Sequence, residues 1–441
     1  LNRSAYRPKS SQFVGWMIVG AAICMLPARR AAAEITIGSM DGWKLTTDGR
    51  ISNFLSVARG NWIPNMEPPY TGVDDEPTAN NKIASSRLRT GFLESVMAFE
   101  LNKKVSEGTN LKVRVAFWAL TASLRTALDA PATEAREAYF KFEGDWGGIT
   151  VGRSLGLFAR SGILLDYDVE HGLGLGFPCA TKEVHGGACG HAGFGLLFPG
   201  FHSGFVYNTP KVAGLQLSVG MYDPIQFAES NYRRTPYPRP EAELTFATPN
   251  RMVTAFVGGI WQRISATLMN QDPATAATVP KVDHDFDAQG VNYGIGLNFG
   301  PLKLGFSGFA GKGLGLTVPL EDNPAIILAG RPGLRSEDGY WGAAALVFGG
   351  TKIAGGTGVT RAKHDSADPP AATTSNIPYV AQQLGFSAGI YQTVQMVTIA
   401  VEYFGAQFTW FDRMGMDANG TFIETPKQFV NFVNVGATLL W

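Results

Sequence analysis

The chain has 441 residues, of which 45% are hydrophobic and only 17% are charged, whereas an average soluble protein has about 25% charged residues. Together with its 53 glycines, this composition disfavours a disordered chain and a helical bundle. Its 37 basic residues balance its 37 acidic ones, so no positive field is present to hold nucleic acid, and we expect no nucleic-acid partner.

The N-terminal residues have the pattern of a secretory signal peptide. Residues 1–12 carry three basic side chains and no acidic one, and the next fourteen residues are uncharged and mostly apolar up to Pro27. This run is shorter than the roughly 20 apolar residues that a membrane-spanning helix needs. A run of alanines ends at Ala33, so we predict that residues 1–33 are removed and that residues 34–441 form the exported protein.

The exported part alternates between apolar residues and small or polar ones. A clear example is residues 291–299, VNYGIGLNF, which are followed by a turn at Gly300-Pro301 and by a returning segment, residues 302–307. One face of such a hairpin is apolar and the other is small or polar, as expected for a barrel with lipid outside and water inside. A soluble β-sandwich alternates in the same way, so the number of strands and the loop lengths must decide between the two.

Sixteen segments of this kind follow one another, near residues 43–58, 87–103, 111–121, 136–144, 149–153, 203–209, 215–223, 240–247, 252–262, 288–299, 302–311, 339–348, 351–361, 381–391, 396–410 and 428–441. Short turns such as 145–148 and 349–350 alternate with long polar connections such as 61–86, 154–202 and 362–380. This loop pattern is typical of bacterial outer-membrane barrels, in which an even number of strands closes the sheet and leaves no edge in lipid. We therefore predict an all-β protein, a transmembrane antiparallel β-barrel without a membrane-spanning helix.

Two cysteines remain after removal of the signal peptide, Cys179 and Cys189, and both lie in the long connection 154–202. Disulfides persist in exported proteins, and closing the eleven residues from one cysteine to the other would stabilise the loop by roughly 2.8 kcal/mol in the chain-entropy model. The alternative is a zinc site that uses both cysteines with His185 and His191. We favour the disulfide and expect neither a metal nor a cofactor.

Ser387 lies in the string GFSAG, residues 385–389, which matches the nucleophile elbow of serine hydrolases. The elbow needs a sharp turn between a strand and a helix, whereas Leu384, Phe386 and Ala388 alternate with their neighbours like the interior of a strand. We therefore interpret Ser387 as a strand residue and predict that the protein is not an enzyme.

Three segments resemble the general porins of Gram-negative outer membranes, the sixteen-stranded type. Residues 136–153, REAYFKFEGDWGGITVGR, resemble the hairpin before that family's third loop and end in its Gly-Arg pair. Residues 204–223, GFVYNTPKVAGLQLSVGMYD, are similar to the hairpin that leaves the loop. The alternating strand that ends at Trp441 is a third match, although many outer-membrane proteins share it.

This resemblance implies a passive, water-filled diffusion channel for small hydrophilic solutes and ions in the lipid bilayer of the bacterial outer membrane. It also implies a homotrimer, and a third loop, here residues 154–202, that folds into each barrel and narrows the pore opposite a cluster of arginines. The closest alternative is a porin selective for one class of solute, such as anions or oligosaccharides. An outer-membrane barrel enzyme such as a lipase is an alternative of a different class.

Arg153 matches the arginine of the family's Gly-Arg pair, so the resemblance implies that it lies in the pore constriction. It shares the phase of Ile149 and Val151, which should face lipid, so the chain must bend or end its strand at Gly152 to bring the guanidinium inside. The alternative for Arg153 is a position at the strand end, in the headgroup zone.

Two further arginines are candidates for the constriction. Arg89 lies in an Arg-x-Gly-Phe context that resembles another arginine of the family's cluster, although its distance from the turn near Gly108 places it nearer the pore mouth. Arg114 points inward by the alternation of its strand. It would substitute for the arginine that the family carries on the strand leaving the third loop, where this chain has residues 201–203, FHS.

The acidic residues Asp166, Asp168 and Glu170 of loop 154–202 are candidates for the opposite side of the constriction. Fixed charges of opposite sign across a narrow passage produce a transverse field that orients dipolar solutes and hinders large apolar ones. The alternative is a solvated loop segment without a role in the pore.

Overall fold

The computed structural model describes residues 34–61, 82–119, 133–172, 174–179, 187–225, 237–267, 283–320, 325–326, 333–363, 380–410, 415–416, 422–423 and 427–441. The predicted signal peptide, residues 1–33, lies outside these ranges, and its removal stays a prediction. Among the described helices, none is long and apolar enough to cross a membrane.

Strands make up most of the described chain, because alternating β-branched and aromatic residues favour an extended backbone on a pleated surface. The strands of the main sheet are β1 (Ile35–Met40), β2 (Trp43–Asn61), β3 (Lys82–Arg89), β4 (Ser95–Ser106), β5 (Thr109–Ala119), β6 (Thr133–Gly144), β7 (Gly147–Leu155), β10 (Phe201–Asn208), β11 (Leu215–Tyr222), β12 (Arg239–Ala247), β13 (Val253–Thr267), β14 (Asp283–Phe299), β15 (Leu302–Lys312), β18 (Ser336–Phe348), β19 (Thr351–Ala362), β20 (Val380–Val394), β21 (Val397–Trp410) and β24 (Gln428–Leu440). Three small sheets pair β8 (Phe177–Cys179) with β9 (Gly187–Gly190), β16 (Ala325–Ile326) with β17 (Gly333–Leu334), and β22 (Gly415–Met416) with β23 (Phe422–Ile423).

The main sheet closes on itself and forms an antiparallel barrel of sixteen strands, which confirms the prediction. On one side β2 pairs with β24, over residues Arg50–Gly60. On its other side β2 pairs first with β4, over Trp43–Arg50, and then with β3, over Phe54–Asn61. β3 and β4 therefore share one position in the barrel, and β1 continues the position of β24 along the first residues of β2.

The break between β3 and β4 differs from the single continuous strand that the sequence predicts near residues 87–103. The backbone leaves the ladder here because its N–H groups bond inward. Gly91 donates to the hydroxyl of Ser52 at 3.0 Å, and Phe92 donates to the carbonyl of Gly174 at 2.7 Å. A contact between segments so far apart in sequence replaces the local strand pairing.

The barrel strands have an exposed apolar face and a mostly polar inner face, as the alternation predicts. Phe205, Val257 and Phe386 are 65%, 47% and 41% exposed on the outer face. On the inner face Ser52 and Glu241 are only 1% and 4% exposed. A continuous apolar band of this kind is the surface that a barrel presents to lipid, so the polar inner face is the one that can carry solutes.

The connection between β7 and β10, residues 156–200, is called the third loop below. It contains a short helix, α1 (Arg160–Asp166), a π-helical turn (Tyr167–His171), and the β8–β9 hairpin. The prediction placed this connection at residues 154–202, and the two flanking strands extend further into it.

The largest hydrophobic cluster lies between the third loop and the inner face of β21 and β24. Phe177 and Phe194 of the loop pack against each other with ring centroids 4.6 Å apart. Both rings also contact Phe404 of β21, at 5.4 and 5.2 Å, and Phe177 contacts Phe432 of β24 at 5.5 Å. Aromatic pairs at such distances contribute about 0.5–1.5 kcal/mol each beyond their burial, so this cluster holds the middle of the loop against one side of the barrel.

Candidate functional site

The first part of the third loop is held by carboxylates on the inner face of β12. Glu241 Oε2 accepts hydrogen bonds from the backbone N–H groups of Leu157 and Phe158, both at 2.8 Å. Two residues further along the strand, Glu243 pairs with the guanidinium of Arg160 at the start of α1. N–H groups that have no partner within the backbone are bound strongly by ionised oxygens, so these contacts fix where the loop begins.

The middle of the third loop is held on a different part of the barrel. Glu402 Oε2 of β21 accepts hydrogen bonds from the N–H groups of Leu175, at 2.7 Å, and Gly176, at 3.0 Å. Asn434 of β24 donates to the carbonyl of Gly176 at 2.9 Å. Six strand positions separate β12 from β21 one way round the barrel and eight separate them the other way. The two anchoring carboxylates therefore lie on nearly opposite parts of the inner face.

A buried polar cluster joins the third loop to β18 and β20. His191 Nδ1 lies 2.9 Å from Asp166 Oδ1 and 2.9 Å from Nε1 of Trp341 on β18. Its other ring nitrogen, Nε2, lies 2.9 Å from the hydroxyl of Ser387 on β20, which also contacts Glu170 Oε1. Asp166 and Glu170, predicted for the constriction, are thus buried within this cluster, with 0% and 1% exposure.

Arg114, also predicted for the constriction, lies at the centre of a group of charges on β2, β4, β5 and β6. Its guanidinium binds both carboxylate oxygens of Asp48, at 2.6 and 3.0 Å. It also approaches Glu137 at 3.4 Å and Glu100 at 3.6 Å. We call the following six residues the charged wall: Asp48, Glu100, Lys112, Arg114, Glu137 and Lys141. The charged wall has three basic and three acidic members.

Next to the charged wall, Trp118 contacts two guanidinium groups. The guanidinium carbons of Arg50 and Arg136 are 4.8 and 5.4 Å from its ring centroids, within the range of a cation–π interaction. Arg136 also pairs with the buried carboxylate of Glu94 at 2.8 Å and with Glu134 at 2.9 Å.

Arg153 is connected to this group through Glu134. Its Nη2 lies 2.7 Å from one oxygen of Glu134, whose other oxygen binds Arg136. Gly152 has φ +122°, so the backbone is irregular at the residue where the sequence predicts a bend that would bring the Arg153 guanidinium inside. The ladders with β6 and β10 nevertheless continue through Arg153 without a change of register. Its place in the constriction stays a prediction.

The two remaining candidates lie elsewhere. Arg89 is 5% exposed at the end of β3, where its register partner on β2 is Phe54. The side chain of Asp168 is 58% exposed and binds Lys303 of β15 at 2.6 Å. Asp168 is therefore the most exposed of the three predicted loop acids.

Open space remains between the third loop and parts of the inner face. One cavity of about 630 Å³ is lined by Tyr139 and Lys141 of β6 and by Arg160 of the loop. A second cavity of about 450 Å³ is lined by residues that include Asp168 and Lys303. Glu137 and Lys141, which line the first cavity, are members of the charged wall, so this cavity lies beside the wall.

Cys189 is buried and disulfide-bonded. The side chains of Cys179 and His185 lie outside the described residues, so the pairing of Cys179 with Cys189 stays a prediction. His191, the other histidine of the alternative zinc site with the two cysteines, has a ring that contacts Asp166, Trp341 and Ser387.

Several residues that shape this site were missed by sequence reasoning. Charged residues inside barrel strands, such as Arg50, Glu241 and Glu402, signal an inward position because a charge in the lipid-facing band is costly. Arg136 could not be placed in this way, since a shift of register between β5 and β6, after Ala116, changes the phase of the strand.

Comparison with known families and structures agrees with this architecture. The model of the family described as Gram-negative porin matches residues 20–408. The structure is similar to the outer membrane channel DcaP of Acinetobacter baumannii, with a TM-score of 0.64 and 12% identity over 92% of this chain and 100% of that chain. It is also similar to the anion-selective porin from Comamonas acidovorans (TM-score 0.57, 12% identity, 90% and 100% covered) and to the trimer form of in-vitro folded OmpT of Vibrio cholerae (0.51, 13%, 91% and 100%). A search of curated proteins finds no match.

Proposed function

Because the chain belongs to the Gram-negative porin family and forms an outer-membrane diffusion channel, we propose that small hydrophilic solutes and ions cross it passively between the third loop and the charged wall. The observation that carries this route is the position of the loop's anchors. Glu241 and Glu402 hold the loop on nearly opposite parts of the inner face. The cavity beside Tyr139 and Lys141 supplies the open space for this route.

The charges along this route favour polar solutes of either sign. Basic and acidic side chains of the charged wall contact one another, so their charges largely cancel at a distance while the local field remains strong. Such a field orients dipolar solutes and disfavours large apolar ones, which cannot replace the interactions of the water they displace. Among the predicted positive residues, Arg114 fits this role best, because three carboxylates fix its guanidinium next to the cavity.

Two of the remaining candidates extend the proposed constriction. Arg153 adds a positive group that Glu134 connects to the neighbouring arginines. Asp168 adds a negative group on the loop side, because its exposed carboxylate lines the cavity of about 450 Å³. Asp166 and Glu170 support the loop from within, and Arg89 lies at the end of β3 opposite Phe54, near the middle of β2 instead of at the mouth.

We also infer that the chain assembles as a homotrimer. The apolar outer face is broad and exposed, and neighbouring barrels could bury part of it. One similar structure, OmpT of Vibrio cholerae, is described as a trimer. Crosslinking in mild detergent should give a trimer band that disappears on heating. A monomer band alone would contradict the assembly.

A hydrolase is the second candidate function, and one observation favours it. Ser387, His191 and Asp166 follow one another at 2.9 Å, the order of groups in a serine hydrolase triad. The hydroxyl of Ser387 also contacts the carboxylate of Glu170, and Ser387 lies in the middle of β20, paired on both sides, instead of on a sharp turn. We propose that the cluster is structural and that the channel is not an enzyme. Ester hydrolysis by the pure protein that disappears in the Ser387→Ala variant would contradict this.

Recording from planar bilayers tests the channel directly. The purified protein should produce stepwise, ohmic current increases that persist without any energy source. Detergent without protein is the control. Uptake into protein-containing liposomes should fall as the size of a neutral sugar increases. A protein that inserts and remains folded but carries no current would contradict the proposed route.

A further inference from the structure

Three side chains of the third loop bring metal-ligating atoms together in its interior. Asp166 ends α1, Glu170 follows one turn later, and His191 comes directly after β9. One oxygen or nitrogen atom from each lies within 4.8 Å of the other two, and all three side chains are buried. Beyond supporting the third loop, this cluster has no role in the permeation route proposed above.

Each of these side chains is oriented by a second contact. Asp166 Oδ2 accepts the backbone N–H of His191 at 3.4 Å, while Glu170 Oε1 accepts the hydroxyl of Ser387. The same hydroxyl lies 2.9 Å from His191 Nε2 and so fixes the imidazole ring. As a result, Asp166 Oδ1 and Glu170 Oε2 both face His191 Nδ1, at 2.9 and 3.7 Å. Protein metal sites have this organisation, in which outer contacts hold the ligands so that their second atoms converge on the ion.

The charges of the cluster also suit a divalent cation. Asp166 and Glu170 are 0% and 1% exposed, and two carboxylates so close together repel each other strongly when buried. Lys352 donates to the backbone carbonyl of Glu170 at 2.6 Å and supplies one positive charge nearby. A divalent ion would neutralise both carboxylates at short range, with the imidazole as its third protein ligand.

We propose that Asp166, Glu170 and His191 bind a divalent first-row transition ion, with Zn²⁺ the best match to one imidazole nitrogen and two carboxylate oxygens. Zinc bonds to such atoms are about 2.0–2.2 Å long, so neighbouring ligand atoms of a tetrahedral site lie about 3.4 Å apart. The two separations from His191 Nδ1, 2.9 and 3.7 Å, are close to this value. The ion would tie α1 to the segment after β9 and stiffen the third loop.

Trp341 gives the proposal a spectroscopic signature. Its indole N–H points at His191 Nδ1 from 2.9 Å, and this nitrogen cannot accept from the indole and bind a metal with the same lone pair. Zinc binding must therefore turn the indole N–H toward another acceptor and change the fluorescence of Trp341. For the same reason, the Trp341→Phe variant should bind zinc more tightly than the unchanged protein and lose this fluorescence change.

The experiment uses zinc itself and purified, folded protein, and it does not depend on conductance. After treatment with a chelator and dialysis against Zn²⁺, elemental analysis should find about one zinc per chain. The Asp166→Asn and Glu170→Gln variants should bind zinc at least about tenfold more weakly, because each loses one charged ligand. His202→Gln is the matched control, since His202 is a second inner-face histidine whose Nε2 contacts the carbonyl of Pro199. It should retain zinc.

Two results would overturn the site. One is a chain that retains no zinc after dialysis, and the other is zinc that both carboxamide variants retain as tightly as the unchanged protein. If either carboxamide variant fails to fold, titration of the unchanged protein decides, because a zinc titration without a change in tryptophan emission also contradicts binding at His191. A loss of zinc with normal channel currents would leave the proposed function intact.

Discussion

Replacing Arg114 should change the ion selectivity of the channel. Its side chain is 16% exposed, and its guanidinium contacts the carboxylates of Asp48, Glu100 and Glu137. The Arg114→Gln variant keeps a polar side chain of similar reach but removes the charge. The charged wall then loses one positive charge, so cations should be favoured over anions.

The size of this effect follows from the distance between a passing ion and the missing charge. At about 5 Å in water, two unit charges interact with roughly 0.8 kcal/mol. At 0.1 M salt, a Debye length of about 10 Å reduces this to about 0.5 kcal/mol. Cations gain and anions lose this amount, so the permeability ratio of cations to anions should rise about fivefold. At 1 M salt, where the Debye length is about 3 Å, the rise should fall below about twofold.

Reversal potentials in planar bilayers under a salt gradient measure this ratio. Arg114→Lys is the charge-preserving control and should keep the original ratio. Arg263→Gln is the positional control, because Arg263 lies near the end of β13 in an exposed pair with Asp287 at 2.8 Å. An unchanged ratio for Arg114→Gln at 0.1 M salt, or an equal shift for Arg263→Gln, would refute the reasoning.

Three further predictions concern the constriction and the third loop. Arg153→Ala should raise cation preference and Asp168→Asn should lower it, and unchanged reversal potentials at low salt in both variants would remove these residues from the constriction. Glu402→Gln weakens the hydrogen bonds to two loop N–H groups and should lower the free energy of unfolding by about 1–3 kcal/mol. Lower heat resistance on gels and noisier currents would show this, whereas unaltered behaviour of both would mean that Glu402 does not hold the loop. Cys189→Ser should lower heat resistance without changing ion selectivity, and an altered permeability ratio would contradict that.

The strands could be predicted from the sequence because a barrel wall imposes a period of two on every strand that crosses it. Residues 291–299 and their returning partner show this pattern without any distant information. The break between β3 and β4 could not be predicted, since it depends on the hydrogen bond from Phe92 to Gly174 in the third loop. The side of the sheet on which Arg136 lies could not be predicted either, because the shift of register after Ala116 is not visible in the sequence of β6 alone.

The candidate site was predictable in part. Arg114 could be recognised because the alternation of its strand points the side chain inward. The surroundings of Asp166 and Glu170 could not, since their cluster joins residues of the third loop to Trp341 and Ser387, which are 150 and 196 positions from His191. The pattern around Ser387 correctly indicated a strand, but nothing in it indicated that a histidine would lie 2.9 Å from the hydroxyl.

The route beside the charged wall is tested most directly with single cysteines at two adjacent positions of β6. Tyr139 lines the cavity of about 630 Å³, whereas Phe140 is 39% exposed on the outer apolar face. A bulky hydrophilic thiol reagent added to open channels should lower the single-channel conductance of the Tyr139→Cys variant. It should leave the Phe140→Cys variant and the unchanged protein unaffected. A Tyr139→Cys channel that mass spectrometry shows to be labelled, and whose conductance is nevertheless unchanged, would contradict the proposed route.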